Sequence, residues 1–348
     1  SALQKSFHLS YLFFSQRIHE STSVKELKAI NEEVTFLIRQ LIQRQTNVKD
    51  ITKLITNFSD SIYHRTVELA IKQLGVPPVD FSFIVLGSAG RLEQTLATDQ
   101  DTAIIYDDVS VNIEESTNQY FIKLGEMVST DLNNIGYSYC KGGIMAQNPK
   151  WCKPISLWKE YFTNWITNSS PQDLLEIKIF FDFRCIYGEK ELTNQLEQHV
   201  WRISSGYNSF FVFLSDSITR FQIQEGAIKH KSNFDIKLFM LPIIDYLRLQ
   251  SLTKKLTTNN SLERIEQLYT KGNISKQFYF QLKQITTFLL GKRFEHQAEQ
   301  LNIGNPADNF VNPSEFSEID FLILKKATSL IEDIQSRTNM EFKGIKNI

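Results

Sequence analysis

The apolar positions near the start of the chain recur with helical spacing. From Val24 they fall at Leu27, Ile30, Val34, Leu37, Ile38, Leu41 and Ile42, the i, i+3, i+4 rhythm of a helix that buries one face. Ser23, three residues before Glu26, supplies a capping-box start. A second run passes through Val48, Ile51, Leu54, Ile55 and Phe58, continues to Leu69, Ile71 and Leu74, and stops at Gly75 with Pro77 and Pro78 just beyond. Residues 1–74 contain neither Gly nor Pro, which excludes a turn-rich β domain and a flexible linker. After Gly75 the texture changes. Short β-type runs occupy Phe81–Leu86, Thr102–Tyr106, Tyr137–Cys140 and Ile177–Phe183. A helix-like stretch, Glu114–Asn134, lies between the second and third. Strands mixed with helices predict an α/β or α+β domain. From about residue 191 helical patterns return, over Leu192–Ile203, Ser209–Gln224, Ile236–Leu252, Leu262–Tyr269, Ser275–Gln300 and Pro313–Gln335. The pattern therefore predicts an N-terminal helical arm (1–74), a mixed domain (75–190) and a C-terminal helical domain (191–348).

Composition narrows the class. The chain has 348 residues, 42% hydrophobic and 22% charged, which is the make-up of an ordered globular protein. Its net charge of −1 lacks the basic excess of a nucleic-acid binder. There is no signal-like N-terminus and no apolar run of about 18 residues, so neither secretion nor a membrane span is expected. Cys140, Cys152 and Cys185 are too sparse for a disulfide framework or a zinc site. They read as free thiols in a reducing cytoplasm. Of the 14 glycines, eight lie between Gly75 and Gly188, in the part that also carries candidate chemistry.

That chemistry is concentrated in the segment from Phe83 to Tyr106. An apolar strand runs into Gly87-Ser88, a short turn-like stretch contains Arg91 and Glu93, and Thr98-Asp99-Gln100-Asp101 leads into a second apolar strand. Gly87 lets the backbone approach phosphate oxygens without a Cβ in the way. Ser88 offers a hydroxyl and an N–H, and a helix-like turn adds a favourable dipole. Asp99 and Asp101 are two apart and share one face of a strand. Two carboxylates on one face make a hard-oxygen site for Mg²⁺, completed by a nucleoside triphosphate, and two such ions can serve an in-line displacement. Arg91 would neutralise phosphate or pair with Glu93 or Asp99. A third carboxylate is expected at Asp182, set in Ile179-Phe180-Phe181-Asp182-Phe183-Arg184. A charge in such apolar company needs a metal, a catalytic role, or simply Arg184 as partner. No P-loop sequence G-x-x-x-x-G-K-[ST] occurs.

With Gly87, Ser88, Arg91, Glu93, Thr98, Asp99 and Asp101 in place, the chain resembles the nucleotidyltransferase superfamily of DNA polymerase β type. It is most similar to the branch of PII uridylyltransferases and glutamine-synthetase adenylyltransferases. More narrowly it resembles a bacterial nucleotidyltransferase family with a C-terminal helical substrate-binding domain. Gly142–Trp151, Phe181-Asp182-Phe183-Arg184, Phe234-Asp235-Ile236-Lys237, Arg293, His296-Gln297 and Asp308-Asn309 look like that family's. The resemblance implies an α+β polymerase-β-like core with a small mixed sheet, flanked by the helical arm and a C-terminal helical bundle. It implies an enzyme that transfers a nucleoside monophosphate from ATP or UTP to a hydroxyl of a protein or small molecule, with Asp99, Asp101 and Asp182 as metal ligands and catalytic residues. Gly87, Ser88, Arg91, Lys150 and Lys237 are the candidate nucleotide contacts, although a solvated Lys150 and a capping, structural role for Asp235 beside Lys237 are the favoured readings of those two positions. Segment 142–151 lines a pocket or is a packed loop. A non-catalytic nucleotide sensor is the alternative. Members of the family often carry cyclic-nucleotide-binding and CBS modules upstream. With Ser1-Ala2 reading as a cloning scar, a fragment of a larger signalling protein is expected. No adjacent His-Asp pair supports the reverse, uridylyl-removing reaction.

Overall fold

In the computed structural model the described residues are 2–168, 177–222, 228 and 232–344, with side chains described from residue 11. The chain divides into two compact units. The first comprises residues 1–163 and 182–200, the second 164–181 and 201–348. The N-terminal helices fall within the first unit, together with the sheet.

Three helices open that unit: α1 (Ala2–Glu20), α2 (Val24–Gln43) and α3 (Val48–Leu74). Helix α2 starts as its sequence predicts. Ser23 Oγ accepts from the Glu26 N–H, and the Glu26 carboxylate accepts from the Thr22 N–H at 2.7 Å. It buries Leu27, Ile30, Val34, Ile38, Leu41 and Ile42, and both α2 and α3 pack on helix α5 (Val111–Ile135). Burying that apolar stripe, at about 1.5–3 kcal/mol per large side chain, holds the arm to the domain. Gly75 ends α3 with φ +99°, a value that favours glycine.

The core is a four-stranded mixed sheet of order β5-β3-β1-β6. Strand β1 (Phe81–Val85) is antiparallel to β3 (Thr102–Tyr106) on one side and to β6 (Arg184–Gly188) on the other. Strand β5 (Cys152–Pro154) runs parallel to β3. A separate parallel pair joins β2 (Asp99–Gln100) to β4 (Ser138–Tyr139). Every residue of β1 and β3 is buried, including the polar Ser82 and Thr102, as expected of mostly apolar strands covered on both faces. Helix α5 covers the sheet, with the Phe121 ring stacked on Tyr106 at 4.7 Å. Gly125 lets α5 approach the 146 loop, since a Cβ there would meet the Ala146 carbonyl oxygen at 2.2 Å. Helix α6 (Ile155–Thr167) was not anticipated, although Ile155, Trp158, Phe162 and Ile166 recur at helical spacing and are buried. Trp158 donates Nε1–H to the Ile104 carbonyl.

Two expected strands change form. Tyr137–Cys140 shortens to Ser138–Tyr139. The run Ile177–Phe183 is not a strand: Lys178–Phe181 forms a 3₁₀ turn and β6 begins at Arg184. Its apolar character reflects burial, with Phe180 packed on Trp165 and Phe181 on Phe210. A short apolar run does not by itself distinguish the two forms.

Helix α7 (Lys190–Ser204) leads to the second unit's helices α8 (Asn208–Thr219), α9 (Ile236–Lys254), α10 (Ser261–Thr270), α11 (Lys276–Asn302) and α12 (Glu318–Thr338). The expected end of α8, Gln224, lies outside the described residues. Helix α12 starts at Glu318 rather than at Pro313, because Pro313–Glu315 is a separate 3₁₀ turn and Ser317 is the cap. Helix α9 is buried almost all round, as a central helix must be. Asp235 accepts from the Leu238 N–H to cap it, and a two-residue ribbon pairs Phe234 with Val311. Arg293 and Gln297 both donate to Asn309 Oδ1, at 2.8 and 3.0 Å, and His296 Nε2 lies 2.6 Å from Asp308 Oδ1. These three side chains therefore serve inter-element hydrogen bonding. Among the described residues, no helix is long and apolar enough to cross a membrane.

Candidate functional site

The antiparallel register of β1 and β3 decides where the motif residues meet. Val85 faces Thr102, and one step further the Leu86 N–H donates to the Asp101 carbonyl at 2.9 Å. The residues following β1 and those preceding β3 therefore lie at the same end of the sheet. Following β1 is a single helical turn, α4 (Gly87–Gly90). Preceding β3 are Asp99 and Asp101.

The turn is tightly built. Gly87 has φ +56°, the left-handed region. The Arg91 N–H donates to the Gly87 carbonyl at 2.9 Å and the Glu93 N–H to the Ser88 carbonyl at 2.8 Å. Leu92 is held at φ +60°, uncommon for a branched side chain. Gly90 is needed for close approach: a Cβ there would lie 1.9 Å from the Asp182 carbonyl oxygen. Ser88 is half-buried, within reach of solvent.

Between the two aspartates, Gln100 is fully buried and donates Nε2–H to the Ser129 and Tyr137 carbonyls at 3.0 and 2.8 Å. Strand alternation then turns Asp99 and Asp101 to the opposite side. One carboxylate oxygen of each and Cys140 Sγ all lie within 4.8 Å of one another. Among the described residues this is the one group of three or more His, Cys, Asp or Glu side chains so placed. The β2–β4 ladder explains Cys140: Asp99 pairs with Ser138 and Gln100 with Tyr139, so the next step sets Cys140 beside Asp101. Burial, then the charge of Asp101, raises the Cys140 thiol above its ordinary value, so it is a neutral neighbour at neutral pH. Two carboxylates with a protonated thiol fit a divalent cation that prefers oxygen, such as Mg²⁺.

Asp182 does not join that group. It is fully buried, and its Oδ2 accepts from Arg91 Nη1 at 2.9 Å. Arg91 Nε donates to Glu93 Oε2, also at 2.9 Å. Burial works against the Arg91 charge, but Asp182 and Glu93 outweigh it and raise its pKa. Nor does Asp182 take Arg184. Arg184 forms a bidentate pair with Asp60 of α3, at 2.8 and 2.6 Å, and donates Nε–H to the Ala89 carbonyl of the α4 turn at 2.9 Å. The Asp60–Arg184–Ala89 bridge and Gln100 were missed by sequence reasoning. Only the alternation around Gln100 could have been read locally.

Segment 142–151, open between pocket lining and a packed loop, is hydrogen-bonded to Thr102 at the start of β3. The Thr102 N–H donates to the Ile144 carbonyl and the Ala146 N–H to Thr102 Oγ1. Lys150 is exposed, with its ammonium 4.6 Å from the centroid of the Trp151 ring. Lys237 lies on α9 in the second unit, two residues after the Asp235 cap.

Comparison with known families agrees with the motif. The family profile described as "Putative nucleotidyltransferase DUF294" matches residues 32–172. A second, "Putative nucleotidyltransferase substrate binding domain", matches residues 215–342. No curated protein matches the chain.

Proposed function

The chain belongs to this nucleotidyltransferase family, and from that premise we propose that it transfers a nucleoside monophosphate from ATP or UTP to a hydroxyl of a protein or small molecule. The observation that carries the reading is the meeting of the Gly87–Gly90 turn with Asp99 and Asp101 at one end of the β1–β3 pair. Gly87 and Ser88 would take the triphosphate oxygens, and Asp99 and Asp101 would hold Mg²⁺. A bound divalent cation supplies charge neutralisation for the triphosphate. Arg91, held by Glu93 and Asp182, keeps the turn in shape. In the reaction the acceptor oxygen bonds to the α-phosphorus, the bond to the bridging oxygen breaks, pyrophosphate leaves with that electron pair, and the hydroxyl proton passes to water. Asp182 enters as the carboxylate that fixes Arg91. The Asp182→Asn variant separates this from a metal-ligand or general-base role. A structural Asp182 predicts a loss of stability with its activity loss, and a catalytic one predicts lost activity in a protein as stable as wild type.

The test uses Mg²⁺, each labelled nucleoside triphosphate and a cell lysate, with the Asp99→Ala/Asp101→Ala protein alongside. Aspartate-dependent labelling of an acceptor, or pyrophosphate release, supports transfer. Metal-dependent nucleotide binding without transfer or release supports a sensor instead. No triphosphate binding at all sinks both readings.

A further inference from the structure

Away from the Asp99–Asp101 group, the first unit contains a cavity of about 410 Å³ between α1, α3, β6 and the first residue of α7. That volume is in the range of small-molecule sites. Its walls mix polar and apolar surface. Arg65, Arg184 and Lys190 line it together with Asp60 and Glu68. Two of the cations already have their acids: Arg65 donates to Glu68 at 2.6 Å and Arg184 takes Asp60. Lys190 forms no ion pair among the described residues, and His19 and His64 add two imidazoles to the wall. The Ser15 hydroxyl on the same wall is buried without a hydrogen-bond partner among the described residues. Helix α1 lies outside the segment matched by the family, which begins at residue 32.

We propose that this cavity binds a small phosphate-bearing ligand, and that Arg184 relays its occupancy to the Gly87–Gly90 turn. The guanidinium fork matches phosphate oxygens in pairs. An entering phosphate competes with Asp60 for Nη1 and Nη2, while Nε holds the Ala89 carbonyl. Because the guanidinium is planar and rigid, re-seating its Nη atoms shifts the carbonyl that Nε holds. The binding claim stands without the proposed function; the relay rests on reading the turn as the triphosphate site.

Calorimetry tests the binding with inorganic phosphate and AMP as probes and citrate as the carboxylate control. It is run on wild type, on the Asp99→Ala/Asp101→Ala protein, and on a Lys190→Glu/His19→Ala protein whose unfolding temperature matches wild type. Saturable binding of phosphate or AMP to the first two, weakened at least tenfold in the third, is the expected result. Absence of saturable binding at millimolar probe, binding unchanged in the third protein, or binding lost with Asp99 and Asp101 overturns the site. Citrate binding more tightly than both phosphate probes overturns the ligand class. For the relay, triphosphate affinity is measured with and without saturating phosphate. A change of roughly fivefold or more is expected in wild type, and its disappearance in the Lys190→Glu/His19→Ala protein. A change that survives there is direct competition at the triphosphate site and overturns the relay. Failure of nucleotidyl transfer leaves the binding result intact, so the two claims fall separately.

Discussion

The two units each bury a three-membered charged cluster, and the polarities are reversed. In the first, one cation, Arg91, sits between Glu93 and Asp182. In the second, one carboxylate, Asp245, sits between Lys178 and Arg248, at 2.5 Å from each. Burial opposes the central charge in both, and the flanking charges win in both, raising Arg91 and lowering Asp245. The settings differ. The Arg91 cluster ties a turn containing two left-handed residues, Gly87 and Leu92, to Asp182, two residues before β6. The Asp245 cluster ties the 3₁₀ turn Lys178–Phe181 to the middle of helix α9, three residues past its internal Pro242. A buried triad of this kind is weak evidence for net stability, but breaking it leaves a charge uncompensated. The comparison teaches that similar electrostatics can hold a candidate-site loop in one place and a helix junction in another.

The sharpest way to break the comparison is to remove the chemistry and keep the clusters. Asp99→Asn with Asp101→Asn is expected to lower pyrophosphate release by at least about a hundredfold, the scale of losing one preorganised electrostatic group. The unfolding temperature should hold or rise, because the exchange removes two adjacent like charges. Loss of activity accompanied by unfolding would place these aspartates in the framework.

Next in size are the clusters themselves. Asp245→Ala leaves Lys178 and Arg248 facing a buried gap and is expected to cost about 3–5 kcal/mol, read by urea unfolding. Asp182→Ala should cost a similar amount through Arg91. If Asp182→Ala leaves stability unchanged, the cluster is not what holds the turn. Gly90→Ala is a smaller lesion of the same joint. Its methyl group meets the Asp182 carbonyl oxygen at 1.9 Å, and the backbone shift should cost about 1–3 kcal/mol together with some transfer activity.

How much of this was legible in the sequence follows from distance along the chain. Helix α2 starts at Val24 as its Ser23–Glu26 spacing requires, because caps and periodicity are local. The Gly87–Ser88 and Asp99–Asp101 pairing was legible too, since one hairpin-like pair of strands brings them together. Cys140 was not, because only the β2–β4 ladder sets it beside Asp101. Arg91 meets Asp182 across 91 residues and Asp60 meets Arg184 across 124, and no local pattern encodes such partners. The run Ile177–Phe183 misled for a different reason. Its Phe side chains report burial, and burial alone does not specify an extended backbone.

The smallest effect separates two carboxylates by their response to acid. Asp245 is held below its ordinary value of 3.8: burial raises it, but Lys178 and Arg248 lower it further. A lowered folded pKa means a contribution fully present above about 3.8 and lost as the pH falls through the folded value. The stability gap between wild type and Asp245→Asn should therefore be flat from neutral pH to about 4 and narrow below that. Asp60 behaves oppositely. Burial raises it above 3.8 even though Arg184 pulls the other way, so its charged form is under-compensated in the folded state. As the pH falls through that raised value, the folded state takes up the proton first, and wild type gains on Asp60→Asn until the pH reaches the unfolded value. Urea midpoints for wild type and the two variants between pH 7 and 3 should thus diverge in opposite senses, Asp60 above about 4 and Asp245 below it. A gap for Asp60→Asn that shrinks like that of Asp245→Asn would show that the Arg184 pair outweighs its own burial, and that the bridge to the Ala89 carbonyl is stiffer than a phosphate-responsive relay allows.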